Sequence, residues 1–342
     1  MRTLIDLQKR LFPDLLEVMQ QRYTILNSVQ LFQPIGRRGL AEHTSLTERN
    51  VRAEVDFLHN QGLINVTSKG MLIKEEGKVV VDQLSSFMKE VMGLSVLEKQ
   101  LMDKLQVRQV IVVPGNSDNH EWVKQEMGKA CVSFLKSSIP TNQTIAVTGG
   151  TTMAAIAKTM TPLDESEHYL FVPARGGIGE QVENQANTIV AEMAKKAKGD
   201  YRMLYVPDPL SETSYQTMIQ EPSINEILEL IRGADVVLHG IGDAKTMAKR
   251  RKTSEQVIQE LDENNAVSEA FGYYFNETGD VVYKVRTIGI QLEDLKTVDC
   301  VITVAGGHSK GQAIASYFKQ GKSDLLITDE AAAEQILRDS SL

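Results

Sequence analysis

Cysteine is nearly absent, with two in 342 residues, Cys131 and Cys300. Neither stands in a CxxC or Cys/His spacing, which argues against a disulfide framework or a zinc module and fits a reducing compartment. Long apolar runs are also missing. The longest uncharged stretch, Ser137 to Ala157, carries Pro140, Asn142, Gln143, Gly149 and Gly150, a density that no spanning helix tolerates. The start, Met-Arg-Thr-Leu-Ile-Asp, places Asp6 where a signal peptide needs its apolar stretch, so a cytoplasmic protein is expected. The six histidines, His43, His59, His120, His168, His239 and His308, share no ligand spacing, and no metal site is expected.

What is present reads as a folded chain. Apolar residues are 42% and charged residues 24%, far from the charged, apolar-poor mix of disordered sequences. The length exceeds the ~250–300 residues at which a single core stops growing, so two domains are expected. The net charge of −8 would disfavour nucleic acid if it were evenly spread. It is not: residues 1–89 carry 12 Lys/Arg against 10 Asp/Glu, and residues 90–342 carry 25 against 35. The division predicts separate tasks for 1–89 and 90–342.

In the first region, Asp14 to Phe32 puts Leu15, Met19, Leu26 and Val29 at helical spacing, and Gln33-Pro34-Ile35-Gly36 ends the pattern. A short segment from Arg37 to His43 follows, then a helical run from Glu48 to Asn60 with Thr47 as N-cap, Leu46 and Val51 as staple, and Gly62 beyond its end. Val51, Val55 and Leu58 form its apolar stripe, which turns Arg49, Asn50, Arg52 and Asp56 outward. Residues 63–67 and 71–73 flank Ser68-Lys69-Gly70 as a hairpin. This order of helices, turn and hairpin predicts a winged helix-turn-helix. Arg37, Arg38, Arg49, Asn50, Arg52 and Lys69 are the candidate DNA contacts, because Arg and Asn read base edges and cations neutralise phosphates. The plainer alternative, a solvated basic helix face, is weakened by the adjoining wing. Residues 75–105 read as helix with a break near Gly93, and Leu94, Leu97, Leu101 and Leu105 form a stripe suited to a partner.

From Gln109 short apolar runs alternate with helical stretches: 110–113, 144–148, 169–172, 203–206, 235–239, 300–304 and 325–328. That alternation predicts a doubly wound α/β domain with a mostly parallel sheet, while 270–283 reads as an inserted antiparallel hairpin. Within it, Thr148-Gly149-Gly150-Thr151-Thr152 joins a strand to a helix through two glycines. Backbone can approach a ligand there, and free N–H groups with two hydroxyls suit a phosphate, although an ordinary turn with a Thr cap is the simpler reading. Glycines recur at three more strand ends, in Arg175-Gly176-Gly177, Gly240-Ile241-Gly242-Asp243 and Gly306-Gly307-His308-Ser309-Lys310-Gly311. In an open α/β sheet such loops converge on one crevice, and Arg175 and Lys310 would supply cations. The dinucleotide fingerprint fails at Val182 and at Lys245, and Ser309-Lys310-Gly311 inverts the order an NTPase loop needs. No cofactor is expected.

The Thr148–Thr152 string and the Gly-Ile-Gly-Asp and Ala-Gly-Gly-His-Ser-Lys loops, set behind a winged helix-turn-helix, resemble the SorC family of bacterial transcriptional regulators over nearly the whole chain. Within it, the branch governing glycolytic genes is the most similar. The resemblance implies a repressor whose effector domain has the fold of sugar-phosphate isomerases and deaminases, with the sugar-phosphate pocket kept and fructose bisphosphate as its ligand. It places one phosphate at Gly149, Gly150, Thr151 and Thr152 near Lys310. It gives Arg175, Gln185 and Arg250 to further phosphate or sugar contacts, and Glu269 to sugar hydroxyls. Gln185, Arg250 and Glu269 rest on the resemblance alone; Arg250 sits in Lys249-Arg250-Arg251-Lys252, which otherwise reads as a solvated patch. Expected partners are operator DNA, the sugar phosphate and further copies of the chain as a dimer or tetramer, since one winged helix buries little DNA. The rival is a sugar-phosphate isomerase or deaminase using Asp243, Glu269 and His308 as acid or base. A constitutive DNA binder would leave the glycine-rich strand ends without a purpose.

Overall fold

The computed structural model describes residues 2–44, 46–163, 169–177 and 181–338. His168, named above, lies outside them. Two compact units, Met1–Val96 and Leu97–Leu342, make up the chain.

The first unit opens with α1 (Arg2–Leu11) and α2 (Pro13–Phe32), followed by α3 (Arg37–Thr44), α4 (Glu48–Asn60), the hairpin β1 (Ile64–Thr67) and β2 (Gly70–Ile73), and α5 (Glu75–Val91). The α1 segment has no counterpart in the sequence reading. Thr47 caps α4 by accepting the Asn50 N–H at 3.2 Å, the arrangement its side chain favours. Val51, Val55 and Leu58 of α4 pack with Ile25, Leu26 and Val29 of α2, Leu40 of α3 and Met71 of β2 in one core. Leu16, not Leu15, is the buried residue near the start of α2; Leu15 is 60% exposed. Leu16 packs instead with Ile5, Met88 and Val91, so α1 and α5 decide which face of α2 is covered.

The helix α6 (Leu94–Leu105) follows a break at Gly93, where φ is +77°. The leucine stripe read as a partner surface is buried within the single chain at Leu94, Leu101 and Leu105, with Leu97 half-buried. It offers little free apolar face.

The second unit continues with β3 (Gln109–Val113), α7 (Glu121–Ser138), β4 (Thr144–Val147), α8 (Thr151–Thr159), β5 (Leu170–Pro173), α9 (Ala186–Ala197), β6 (Asp200–Tyr201), α10 (Glu212–Met218) and α11 (Pro222–Arg232). Then come β7 (Val236–His239), β8 (Gly242–Asp243), α12 (Ala244–Arg250), α13 (Glu255–Glu263), β9 (Ala266–Ala270), β10 (Tyr273–Asn276), β11 (Val281–Lys284), β12 (Cys300–Val304), α14 (Gly311–Phe318), β13 (Leu325–Asp329) and α15 (Glu330–Arg338). A seven-stranded sheet runs β3-β13-β12-β7-β4-β5-β6 with every neighbour parallel. From β4 the chain adds β5 and β6 on one side, then returns to add β7, β12 and β13 on the other. The order reverses between β4 and β7, so the loops after these two strands diverge at the switch point. Val147, Phe171, Leu238, Ile302 and Val304 form the sheet's share of the core with Met153 and Ile156 of α8 and Val190 of α9.

Two expectations need correction. Residues 203–206 are not a strand: the edge strand is Asp200–Tyr201, and beyond it the Asn187 side chain takes both the N–H and the C=O of Leu204, at 3.0 and 2.9 Å. Those bonds replace the ladder that would have continued the strand. The antiparallel insertion is also larger than a hairpin, since β10 and β11 join β9 and β8 in a four-stranded sheet. Gly242-Asp243, read only as a loop, supplies the fourth strand by pairing with Ser268 and Glu269.

Candidate functional site

The basic face of the first unit is built on α4. Arg49, Asn50 and Arg52 are exposed, on the side away from the Val51, Val55 and Leu58 stripe. Lys69 sits in the β1–β2 turn, which Thr67 closes by donating its hydroxyl to Gly70 O at 2.7 Å and accepting the Lys69 N–H at 3.2 Å. Arg37 and Arg38, at the start of α3, are placed differently. They pair across to α4, Arg37 with Asp56 at 3.4 Å and Arg38 with Glu48 at 3.6 Å, so part of their charge is answered within the unit. Behind this face, Arg22 bonds Glu54 at 2.6 Å and lies 3.6 Å above the Phe57 ring, fixing α4 to α2. Replacing Arg49 and Arg52 together with Ala is expected to weaken binding of a selected DNA duplex by about 1–3 kcal/mol per base contact, or to flatten its salt dependence where the contact is to phosphate. Salt-series gel shifts check this, and unchanged binding would reject α4 as the reading helix.

In the second unit, one cavity of about 280 Å³ opens at the carboxyl ends of the central strands. The loop after β4 contributes Gly149, Gly150, Thr151 and Thr152; the loop after β5 contributes Arg175. Gln185, the N-cap of α9, and Arg250, the last residue of α12, line it as well. Glu269 of β9 and Lys310 of the loop after β12 complete it. The nine residues singled out from the sequence therefore lie around one space, at the point where the strand order reverses.

Local structure explains each placement. Gly149 packs so tightly that a Cβ would stand 2.7 Å from Asn184 O, and Gly150 has φ +120°. No side chain caps α8, whose first intrahelical bond runs from Ala154 N–H to Gly150 O. The N–H groups of Thr151, Thr152 and Met153 thus precede the helical ladder and face an anion-favouring dipole end. The Thr148 hydroxyl, buried beside them, has no hydrogen-bond partner among the described residues. Lys310 is held by carboxylates gripping its loop. Asp329 accepts Gly307 N–H at 2.7 Å and Ser117 N–H at 2.8 Å, and Asp118 accepts Ser309 N–H at 2.8 Å and its hydroxyl at 2.9 Å. Burial pushes the Lys310 ammonium below the ordinary lysine range, and Arg250 and Lys124 add to that. A bound anion would reverse the effect by favouring the charged form.

The cavity floor is a buried network of alternating charge. Arg175 pairs with Asp208 and donates to Glu269 Oε1 at 3.2 Å; Arg251 donates to the same oxygen at 2.8 Å, and Gly272 N–H does so at 2.6 Å. Burial works to raise the Glu269 carboxyl, but Arg251 and Arg175 outweigh it and hold the group below the usual carboxylate range. Arg175 Nε, Arg251 Nε and Asp208 Oδ1 are buried without partners among the described residues. Sequence reasoning missed Asp208 and Arg251. Arg251 lies in the four-residue basic run that reads as surface, yet its side chain is fully buried while Arg250 is exposed. Below the floor, burial pushes His239 down to about 4, and the neutral ring lies 3.1 Å from Gly240 O through Nδ1 and 2.8 Å from the Thr303 hydroxyl through Nε2.

The three residues considered for acid–base chemistry differ in their surroundings. Asp243 caps α12, accepting from Thr246 N–H at 2.8 Å and its hydroxyl at 2.6 Å. Glu269 is ion-paired, and His308 is exposed on the Lys310 loop. Among the described residues no helix is long and apolar enough to cross a membrane.

Comparison with known proteins adds the following. Residues 89–338 match the Sugar-bind family model of sugar-binding domains, and residues 18–88 match the CggR N-terminal DNA binding domain. The chain is 52% identical over 340 residues to the central glycolytic genes regulator of Priestia megaterium, covering 99% of each. It is 49% identical over 339 residues to the protein of that name in Bacillus subtilis, covering 99% of this chain and 100% of the other. A crystal structure assigned to the SorC family, from Enterococcus faecalis, aligns at TM-score 0.68 with 48% identity, over 71% of this chain and 99% of that one. The full-length sorbitol operon regulator SorC from Klebsiella pneumoniae aligns at TM-score 0.68 with 17% identity, over 90% of this chain and 95% of its own, which speaks to fold alone.

Proposed function

The chain belongs to the SorC family of transcriptional regulators, and from that premise we propose that it represses glycolytic genes and responds to fructose bisphosphate in the switch-point cavity. The observation that carries the reading is the convergence of two anion-favouring groups of residues on one space. One is the uncapped α8 N-terminus; the other is the set of cations Lys310, Arg175 and Arg250. A doubly phosphorylated sugar needs two such groups facing one another, with a carboxylate between them for its hydroxyls. Glu269 lines the same cavity, its Oε1 engaged by three N–H donors, and is the carboxylate this reading gives to the sugar hydroxyls.

The α4 face reads operator DNA, and two copies of the chain supply two half-sites. Fructose bisphosphate then favours the form that binds DNA less well, and a coupling of typically 1–3 kcal/mol lowers operator affinity about 5–150-fold. A gel-shift titration with the full-length chain and a duplex selected from random DNA tests this. The expected result is a loss of affinity or a change in complex size as fructose bisphosphate is added. Ligand that binds by calorimetry but leaves the DNA complexes unaltered would end the effector reading.

A further inference from the structure

Arg251 sits behind the cavity, not in it. Its side chain is fully buried, and it is not among the described residues that line the space. Its donors point elsewhere: Nη2 donates to Glu269 Oε1 at 2.8 Å and Nη1 to the Tyr274 hydroxyl at 2.9 Å. A buried ion pair is a weak source of stability, because desolvation offsets most of the attraction. The reason for an arginine here lies in what it holds.

The two oxygens of Glu269 are used differently. Oε1 accepts from Arg251, Arg175 and the Gly272 N–H, whereas Oε2 takes none of these three. Oε2 lies instead beside Gly242 of the cavity wall, 3.5 Å from where a Cβ on that glycine would stand. One oxygen is anchored, and the other has lone pairs to offer a hydroxyl. Arg175 is a divided anchor: it also pairs with Asp208, and it lines the cavity, where a phosphate competes for its charge. Arg251, outside the cavity, meets no such competition. We propose that Arg251 is a positioning residue, which fixes Glu269 Oε1 and its negative charge so that Oε2 accepts a sugar hydroxyl, and thereby sets the preference for sugar bisphosphates over bisphosphates without hydroxyls. This rests on the sugar-phosphate reading above.

Burial works to raise the Glu269 carboxyl, and Arg251 opposes it ahead of Arg175 and the Gly272 N–H. The other groups around it are Asp208 behind Arg175, Tyr274 of β10 and the neutral His239 of β7. Asp243 of β8 is turned to the α12 N-cap, Asp262 of α13 pairs with Lys245, and α14 sends Ser316 to Ser268 and Tyr317 to His239. Without Arg251, burial is opposed by the divided Arg175 alone, so the carboxyl moves up and protonates on mild acidification. A neutral carboxyl holds a hydroxyl less strongly than a carboxylate does.

The test compares fructose bisphosphate with hexanediol bisphosphate, which carries two phosphates on a six-carbon chain without further hydroxyls. Binding of both to the full-length parent, Arg251→Met and Arg251→Lys is measured by calorimetry from about pH 5.5 to 8, with melting curves to confirm folding. The quantity read is each variant's preference for the sugar divided by the parent's at the same pH, which cancels the titration of the phosphates themselves. In Arg251→Met the preference is expected to fall about tenfold at the acid end and to recover toward the alkaline end as Glu269 ionises. Hexanediol bisphosphate stays within about threefold of the parent throughout. Arg251→Lys, which keeps the cation, is expected to follow the parent. Equal losses for both ligands at every pH would make Arg251 a packing residue and overturn the proposal, as would a parent-like preference in Arg251→Met throughout. If Arg251→Met does not fold, Arg251→Lys decides: a lost preference there overturns the proposal, and one kept through the acid end upholds it. A parent that binds both ligands equally also overturns it while the anion site stands, whereas a parent that binds neither removes the sugar-phosphate reading itself.

Discussion

A Thr152→Glu chain is expected to bind fructose bisphosphate roughly a hundredfold or more weakly than the parent, because like charges brought together in a desolvated site cost several kcal/mol. Thr152 is 8% exposed, in the first turn of α8, where the N–H groups of Thr151, Thr152 and Met153 precede the first helical bond. A carboxylate there occupies the anion position itself. The dipole favours an acidic residue in a first turn by about 0.3–1 kcal/mol, which offsets part of the cost of burying the longer charged side chain. Calorimetry should show lost binding, with a melting curve confirming that the chain is folded at the temperature of the titration. Arg175→Ala is a poorer probe, because it strands the buried carboxylates of Asp208 and Glu269 and confounds affinity with stability. Parent-like affinity in Thr152→Glu would move the ligand out of this cavity.

The parts of the molecule legible in the sequence are those encoded by short-range pattern. The α4 helix was readable to its ends because Thr47 caps it and Gly62 follows it, and the parallel strands because each is a brief apolar run between turn residues. The glycine-rich strand ends were readable for the same reason, and the switch-point rule brings loops from distant strands to one crevice. What was not legible depends on pairing at long range. Nothing local in Met203-Leu204-Tyr205-Val206 says that Asn187 will take over its backbone bonds. Nothing in Lys249-Arg250-Arg251-Lys252 separates an exposed Arg250 from an Arg251 buried against Glu269, because the difference is one residue of rotation at the end of α12.

Glu269→Gln is expected to destabilise the second unit by about 3–5 kcal/mol, the usual cost of removing one partner from a buried ion pair. Arg175 keeps Asp208, but Arg251, fully buried, loses the carboxylate that answers its charge. If the stranded cation is the cause, Arg251→Met in the Glu269→Gln background should recover part of the loss. Independent effects would simply add, which would sink this account. Urea denaturation of the four chains measures the cycle. Acid gives a second check, with a definite sign. Arg251 and Arg175 hold the folded Glu269 carboxyl below its ordinary value, so its contribution is fully present above the unfolded carboxyl's pKa and is lost as pH falls through the lower folded one. Glutamine does not titrate. The stability gap between parent and Glu269→Gln should therefore be widest near neutrality and narrow on acidification below the ordinary carboxylate range. A gap that stays constant through that range would mean that the lost energy is packing, not charge.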